Sequence, residues 1–216
     1  MMREITWLEG GVAPAGKILA VGRNYAAHAA EMKAAAEPVV FSKPGTSLVL
    51  PGEPVRLPRN RGEIHYELEI VAHLGSGGTD LTPAAAAGCV DGYGLGLDLT
   101  LRTLQAEAKK KGAPWTLTKG FDHSFPVSPF LHAAAVAKPE DLRFELLLDG
   151  ELRQKGWSGD MLHSVPELLA YLSSWITLEP GDLILTGTPE GVGPVIPGQT
   201  ARMRLLDHFD CDVSFV

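Results

Sequence analysis

The sequence predicts a β-rich α+β fold with few, short helices. Three observations point to it. Among 216 residues there are 24 glycines and 16 prolines, so the chain turns often. The apolar runs between those turns are short, as strands are. Asp149-Gly150 sits between the runs 144–148 and 152–155, a strong hairpin signal because both turn positions accept a positive φ.

The elements follow in order. Residues 17–21 form a short apolar strand ending at Gly22. Asn24 is placed to cap a helix over about 25–36, which Pro38 stops. Residues 39–41 are strand-like, and the Gly- and Pro-rich stretch 44–62 reads as short strands and turns. Residues 67–73 alternate in part and read as a strand. A short helix over 81–87 has Thr82 as its cap and Pro83 in its first turn. The apolar segment 90–99, with three spaced glycines, reads as a strand. Residues 100–111 are patterned as a helix that Gly112 and Pro114 end. Beyond the hairpin, Ser164 caps a helix over about 165–176. Residues 182–186 form a strand that enters a Gly- and Pro-rich loop, 187–198. Residues 200–216 supply one or two closing strands. No internal repeat and no linker interrupts the chain, so a single domain over 1–216 is expected, with residues 1–50 as its N-terminal part.

Composition excludes several classes. A chain of this length buries about 70% of its extended surface, so it needs no disulfide or structural metal to fold. Hydrophobic residues at 45% and charged residues at 21% exclude a disordered or coiled-coil chain. The two cysteines, Cys89 and Cys211, are far apart, which argues against thiolate metal sites and a disulfide scaffold. A net charge of −7 argues against a nucleic-acid partner. No run of 18 apolar residues is present and residues 1–7 are not apolar, so the sequence reads as cytoplasmic, with no membrane partner.

The residues with chemistry are mostly acidic. Glu67 and Glu69 stand two apart on an expected strand, so they share a face. Paired carboxylates repel unless a cation lies between them. Asp98 closes the second apolar strand. Three carboxylates form a ligand set for a hard divalent ion such as Mg²⁺, Mn²⁺ or Ca²⁺. Spacing alone also fits a solvated strand edge. His28 and Glu31 stand three apart on the expected helix, where the carboxylate can orient the imidazole. The same spacing fits an exposed helical pair, and the other six histidines show no ligand spacing. Arg23, Lys43, Arg102 and Lys119 are cations suited to a carboxylate substrate, Lys119 in the apolar setting of Trp115 to Gly120. Lys109 to Lys111 read as the solvated end of a helix, where positive charge suits the dipole. Gly92-x-Gly94-x-Gly96 is not a dinucleotide fingerprint, residues 187–193 lack the lysine of a phosphate loop, and Gly156-Trp157-Ser158-Gly159 is one residue short of a serine nucleophile elbow.

The motifs come in a set order. Val21-Gly22-Arg23-Asn24-Tyr25-Ala26-Ala27-His28 is followed by Phe41-Ser42-Lys43-Pro44 and Glu67-Leu68-Glu69. Then come Asp98-Leu99-Thr100-Leu101-Arg102, Trp115 to Asp122, and Gly181 to Pro189 with Gly191-Val192-Gly193. This series, over about residues 17–205, resembles the fumarylacetoacetate hydrolase family, nearest its short acylpyruvase and fumarylpyruvate hydrolase branch. The resemblance implies a mixed β-sandwich roll, a homodimer, and one Mg²⁺ or Mn²⁺ per subunit on Glu67, Glu69 and Asp98. It makes His28 and Glu31 a water-activating dyad on a lid helix near 25–36. It places Lys119 at the substrate, with Arg23, Lys43, Arg102, Gln105 and Thr188 as contacts. Thr103 stands where the family often has an acid after the arginine. The expected reaction is metal-dependent hydrolysis of a C–C bond in a 2,4-dioxo acid, giving pyruvate and a carboxylic acid. The alternatives are oxaloacetate decarboxylation or tautomerisation, hydroxymuconate-type isomerisation, and a non-catalytic metal- or small-molecule-binding protein.

Overall fold

A computed structural model of the chain describes residues 3–25 and 38–216. The architecture is mixed α+β with few helices, as the sequence predicts. The helix expected over 25–36 falls, from residue 26 on, outside the described residues, and so do His28 and Glu31.

A six-stranded central sheet runs in the order Leu131–His132, Val90–Leu97, Leu68–Leu74, Leu183–Leu185, Ile18–Gly22, Val39–Lys43. Its neighbours are antiparallel except Leu183–Leu185 beside Ile18–Gly22, which run parallel. Both faces are covered. Leu19, Val21, Leu68, Ile70, Leu95 and Leu97 join one core cluster, while Ile18, Ala20, Val71, Leu183 and Leu185 join another with Phe125 and Phe130. A strand covered on both faces reads as an apolar run rather than an alternation. This is why all of Leu68–Leu74 is buried, Glu69 included.

The second large sheet has the order Glu151–Trp157, Arg143–Leu148, Thr200–Leu205, Phe209–Ser214 and is antiparallel throughout. Phe144, Leu146, Met203 and Leu205 face the larger cluster, and the intervening residues are exposed or partly buried on the other face. The hairpin turns at Asp149 (φ 51°) and Gly150 (φ 85°), as the dipeptide predicts. The closing segment is two strands, Thr200–Leu205 and Phe209–Ser214.

Helix ends moved slightly from their expected places. Thr82 accepts from the Ala85 amide at 3.3 Å and caps Pro83–Ala87 as predicted. The next helix begins only at Arg102, because Thr100–Leu101 is taken up by pairing with Ile64–Tyr66. It ends at Lys111, with Gly112 left-handed at φ 63°. The helix after Ser164 spans Val165–Ser173 and stops short of 176, its last turn tightened by the Ser174 hydroxyl donating to the Tyr171 carbonyl. Asn24, expected as a helix cap, spends its amide across the fold: it donates to the His163 and Thr186 carbonyls and accepts from the His163 amide. The N-terminal hairpin Glu4–Thr6 with Val12–Pro14, not among the expected elements, turns through Gly10 (φ 97°) and Gly11 (φ 93°).

The three spaced glycines of Val90–Leu97 serve packing. A Cβ on Gly92 would lie 2.5 Å from the Trp7 ring, on Gly94 3.1 Å from Phe130, and on Gly96 2.5 Å from Phe125. Their period of two bares one face of the strand to three aromatic rings.

Candidate functional site

The carboxylates meet through strand register. Leu68 pairs with Leu97 and Glu69 with Gly96 on antiparallel neighbours. The Asp98 amide donates to the Glu67 carbonyl at 2.8 Å, which carries the register one pair further. Residues 67, 69, 96 and 98 therefore share a face. Gly96 has no side chain there, so that corner belongs to Phe125 and the other three carry carboxylates. Glu67 is not inside the strand, as expected from the sequence; it sits between Ile64–Tyr66 and Leu68–Leu74, where the chain passes from a small sheet to the central one. The period of two survives that break, and oxygens of Glu67, Glu69 and Asp98 lie within 4.8 Å of one another. All three residues are buried, Asp98 to 1% exposure.

Cations close around them. Lys119, at the end of the short helix Thr116–Lys119, donates to Glu67 Oε2 at 2.8 Å and to Asp98 Oδ2 at 2.5 Å. Arg102 donates to Glu67 Oε1 at 2.6 Å and to Gln105 Oε1 at 2.8 Å. Lys43 Nζ lies 2.8 Å from Asp98 Oδ1 and donates to Ser124 O at 3.0 Å, to Ser124 Oγ and to the Lys119 carbonyl. Lys43 therefore lies beneath the site, holding Asp98 and the Lys119 turn, rather than at its surface. Glu69 accepts from the Gly187 amide at 2.7 Å. Gly187 turns there at φ 97°, and a Cβ on it would lie 2.9 Å from Asn24 Cβ, so glycine suits the turn that aims that amide at Glu69.

Thr188 lies next to this turn, its hydroxyl accepting from Gln154 Nε2 at 2.9 Å. Gln154 in turn accepts from the Leu68 amide at 2.9 Å and so ties the loop to the carboxylate strand. Arg23 is exposed and left-handed at φ 65°. The Thr103 hydroxyl accepts from the Glu63 amide at 3.3 Å.

Electrostatics separate the three acids. Burial opposes ionisation of Glu67, but Lys119 and Arg102 outweigh it and hold its pKa down at about 2. Burial pushes Glu69 well above the usual carboxylate range, and the charges of Asp98 and Glu67 add to it. Burial also opposes the charge on Lys119, yet Asp98 and Glu67 keep its pKa above the usual lysine value. Burial draws Lys43 below that value, only partly offset by Asp98. Asp98 Oδ1 is buried without an aligned hydrogen-bond donor. A divalent cation fits this set: it favours oxygen donors and relieves the repulsion that burdens Glu69.

The family model described as "Fumarylacetoacetate (FAA) hydrolase C-terminal" matches residues 17–215. The chain belongs to the fumarylacetoacetate hydrolase family. It is 46% identical over 202 residues to the mitochondrial oxaloacetate tautomerase FAHD1 of Arabidopsis thaliana, covering 92% of this chain and 91% of that one. The human oxaloacetate tautomerase FAHD1 is 47% identical over 180 residues, covering 82% of this chain and 81% of that one. Among solved structures, fumarylpyruvate hydrolase from Pseudomonas aeruginosa in complex with Mn²⁺ and pyruvate superposes with a TM-score of 0.93 at 37% identity. That match covers 100% of this chain and 96% of the other.

Within this family fold, the structure gathers Lys43, Glu67, Glu69, Asp98, Arg102, Gln105, Lys119 and Thr188 into one region. Sequence reasoning missed Gln154, Ser124 and the Gly187 amide. Gln154 stands on a polar-looking strand with no local signal, and an amide's role is invisible in residue type. No helix among the described residues is long and apolar enough to cross a membrane.

Proposed function

We propose that this chain is a divalent-metal-dependent enzyme that enolises a short 2-oxo acid, with keto–enol tautomerisation of oxaloacetate as its reaction. The observation that carries it is the buried trio Glu67, Glu69 and Asp98, with Lys119 reaching two of its members. The curated relatives named as oxaloacetate tautomerases support the choice of reaction.

Glu67, Glu69 and Asp98 would hold Mg²⁺ or Mn²⁺. The bound ion supplies a Lewis acid that draws negative charge off a 2-oxo group. Every other part is protein. Lys43, Lys119 and Arg102 pair with Glu67 and Asp98, while Glu69 is held by the Gly187 amide. Tautomerisation moves one proton from C3 to the C2 oxygen, and between those events the charge on that oxygen is that of an enolate. Lys119, kept protonated by Asp98 and Glu67, is a fixed positive charge for it. Arg102, steadied by Gln105 and Glu67, presents donors to the 1-carboxylate, with Arg23 and Thr188 as further contacts. Lys43 holds Asp98 in place from below.

A second reading is hydrolysis of acylpyruvates of the fumarylpyruvate type. His28, oriented by Glu31, takes a proton from water; hydroxide adds to the distal carbonyl; the C3–C4 bond breaks, and the pyruvate enolate takes up the proton. The spacing of His28 and Glu31 and the Pseudomonas aeruginosa neighbour favour it. A homodimer is the proposed assembly, tested by light scattering.

An ultraviolet assay of oxaloacetate, acetylpyruvate and fumarylpyruvate, with and without Mg²⁺, tests both. Mg²⁺-dependent equilibration of oxaloacetate that survives His28→Ala supports tautomerisation. Loss of the diketone chromophore that His28→Ala abolishes supports hydrolysis. No turnover of any of the three would defeat both and favour a binding protein.

A further inference from the structure

The helix Arg102–Lys111 points one face at the site. Arg102, Gln105 and Lys109 fall at helical spacings of three and four, so they share it. Arg102 and Gln105 belong to the carboxylate region, and Lys109 stands two turns further out. Lys109, Lys110 and Lys111 are all exposed, and Lys110 and Lys111 do not share the face of Arg102 and Gln105. Lys109 is exposed, as the run of three lysines predicts, but it is not free of the fold. Its Nζ lies 5.3 Å from the centre of the Trp115 ring. The Trp115 ring lies 6.0 Å from that of Phe41, and Lys119 Nζ lies 5.1 Å over Phe41. Two half-buried aromatic rings thus form a wall with one cation at its inner end and another at its rim. Partial burial first, and then the charges of Arg102 and Arg23, hold the Lys109 pKa below the usual lysine value. Like charges gathered at one rim favour an anion between them.

We propose that Lys109, seated on Trp115, is a specificity residue that recognises the distal carboxylate of a dicarboxylic 2-oxo acid. This rests on the enolisation reading above for its substrate, and it adds the reason a dianion is preferred to a monoanion. The inner end of the site takes the 2-oxo carboxylate. The aromatic wall lines the carbons between, and Lys109 meets the far charge. A monoanionic acylpyruvate puts an uncharged tail against the same wall and gains nothing from Lys109.

The test uses the full-length Mg²⁺-loaded protein with Lys109→Met, which keeps the aliphatic stem on Trp115, and with Lys109→Arg. Lys110→Met removes the same charge one residue along and is the control. For oxaloacetate, Lys109→Met raises KM by about five-fold, the scale of one exposed charge pair, with kcat within about two-fold. Lys109→Arg restores the KM, and Lys110→Met leaves it unchanged. For acetylpyruvate no variant shifts KM. A KM change equal for both substrates, or equal for Lys109→Met and Lys110→Met, overturns the proposal. Calorimetric binding of oxaloacetate and of pyruvate to the same variants separates this idea from the reaction it rests on. If wild-type protein binds oxaloacetate without tautomerising it and Lys109→Met still loses affinity for it alone, the reaction falls and the role of Lys109 stands. If the binding ratio of the two acids is the same in wild type and Lys109→Met, the role of Lys109 falls.

Discussion

Acids and bases meet at two places in this molecule, the outer face of the four-stranded sheet and the end of the central sheet. On the outer face Arg202 pairs with Asp212 at 2.7 Å and Arg204 with Asp210 at 3.2 Å, on side chains about half exposed. At the central sheet Lys119 pairs with Asp98 at 2.5 Å and with Glu67 at 2.8 Å, on side chains almost wholly buried. The distances are alike and the consequences are not. Water screens the first set, so each pair contributes little. The second set has lost its water, so each charge depends on its partners, and taking one away leaves the rest exposed to one another. Burial, rather than contact distance, separates a surface ladder from a reactive centre.

The comparison can be broken or sharpened by experiment. The largest effect is expected for Glu69→Ala. Removing one of three ligands abolishes Mn²⁺ binding by calorimetry and lowers turnover by at least about 1,000-fold, the scale of lost Lewis-acid stabilisation. Turnover that survives this change and chelation together would sink the metal reading. Next is Lys119→Met in metal-free protein, which leaves Glu67 and Asp98 facing each other unrelieved. Denaturant titration should show a loss of about 3 kcal/mol. An unchanged midpoint would mean that the buried pairs behave like surface ones.

A smaller effect concerns pH. Burial and two neighbouring carboxylates raise the pKa of Glu69, so without a cation it ionises less readily than an ordinary carboxylate. A metal binds the ionised form, and its binding releases the carboxyl proton. The rise in Tm on adding Mg²⁺ should therefore grow from pH ~6 to pH ~8, with net proton release detectable in buffers of different ionisation enthalpy. A Tm rise that is flat over that range would show Glu69 already ionised. The smallest effect is expected for Asp212→Asn on the outer face. Its pairing with Arg202 is solvent-exposed, so stability should change by no more than about 0.5 kcal/mol. A drop comparable with that of Lys119→Met would erase the distinction between the two regions.

Much of this was legible before any coordinates. Asp149-Gly150, Thr82-Pro83 and Gly112 each state a backbone requirement that one residue type meets, so the hairpin, a short helix and a helix end were readable locally. Glu67, Glu69 and Asp98 stood out as acids on apolar strands, a pattern that also fits a solvated edge, and the ordered motifs resembling the family singled them out as a ligand set. The late start of helix Arg102–Lys111 was not readable, since it depends on a strand, Ile64–Tyr66, distant in the chain. Lys43 shows the same limit. Residue type marked it as a cation for substrate, whereas its place beneath Asp98 depends on Ser124 and the Lys119 carbonyl, about 80 residues away in sequence.

The order of residues by itself determined the β-rich class, the turn positions and the identity of the acids and cations available for chemistry, because these follow from local backbone preference and side-chain type. Tertiary structure decided which charges lose their water. Register set Asp98 opposite Glu67, the Gly187 turn delivered an amide to Glu69, and the helix carrying Arg102 brought Lys109 against Trp115. Charge strength depends on solvent access, and solvent access is a property of the packed whole.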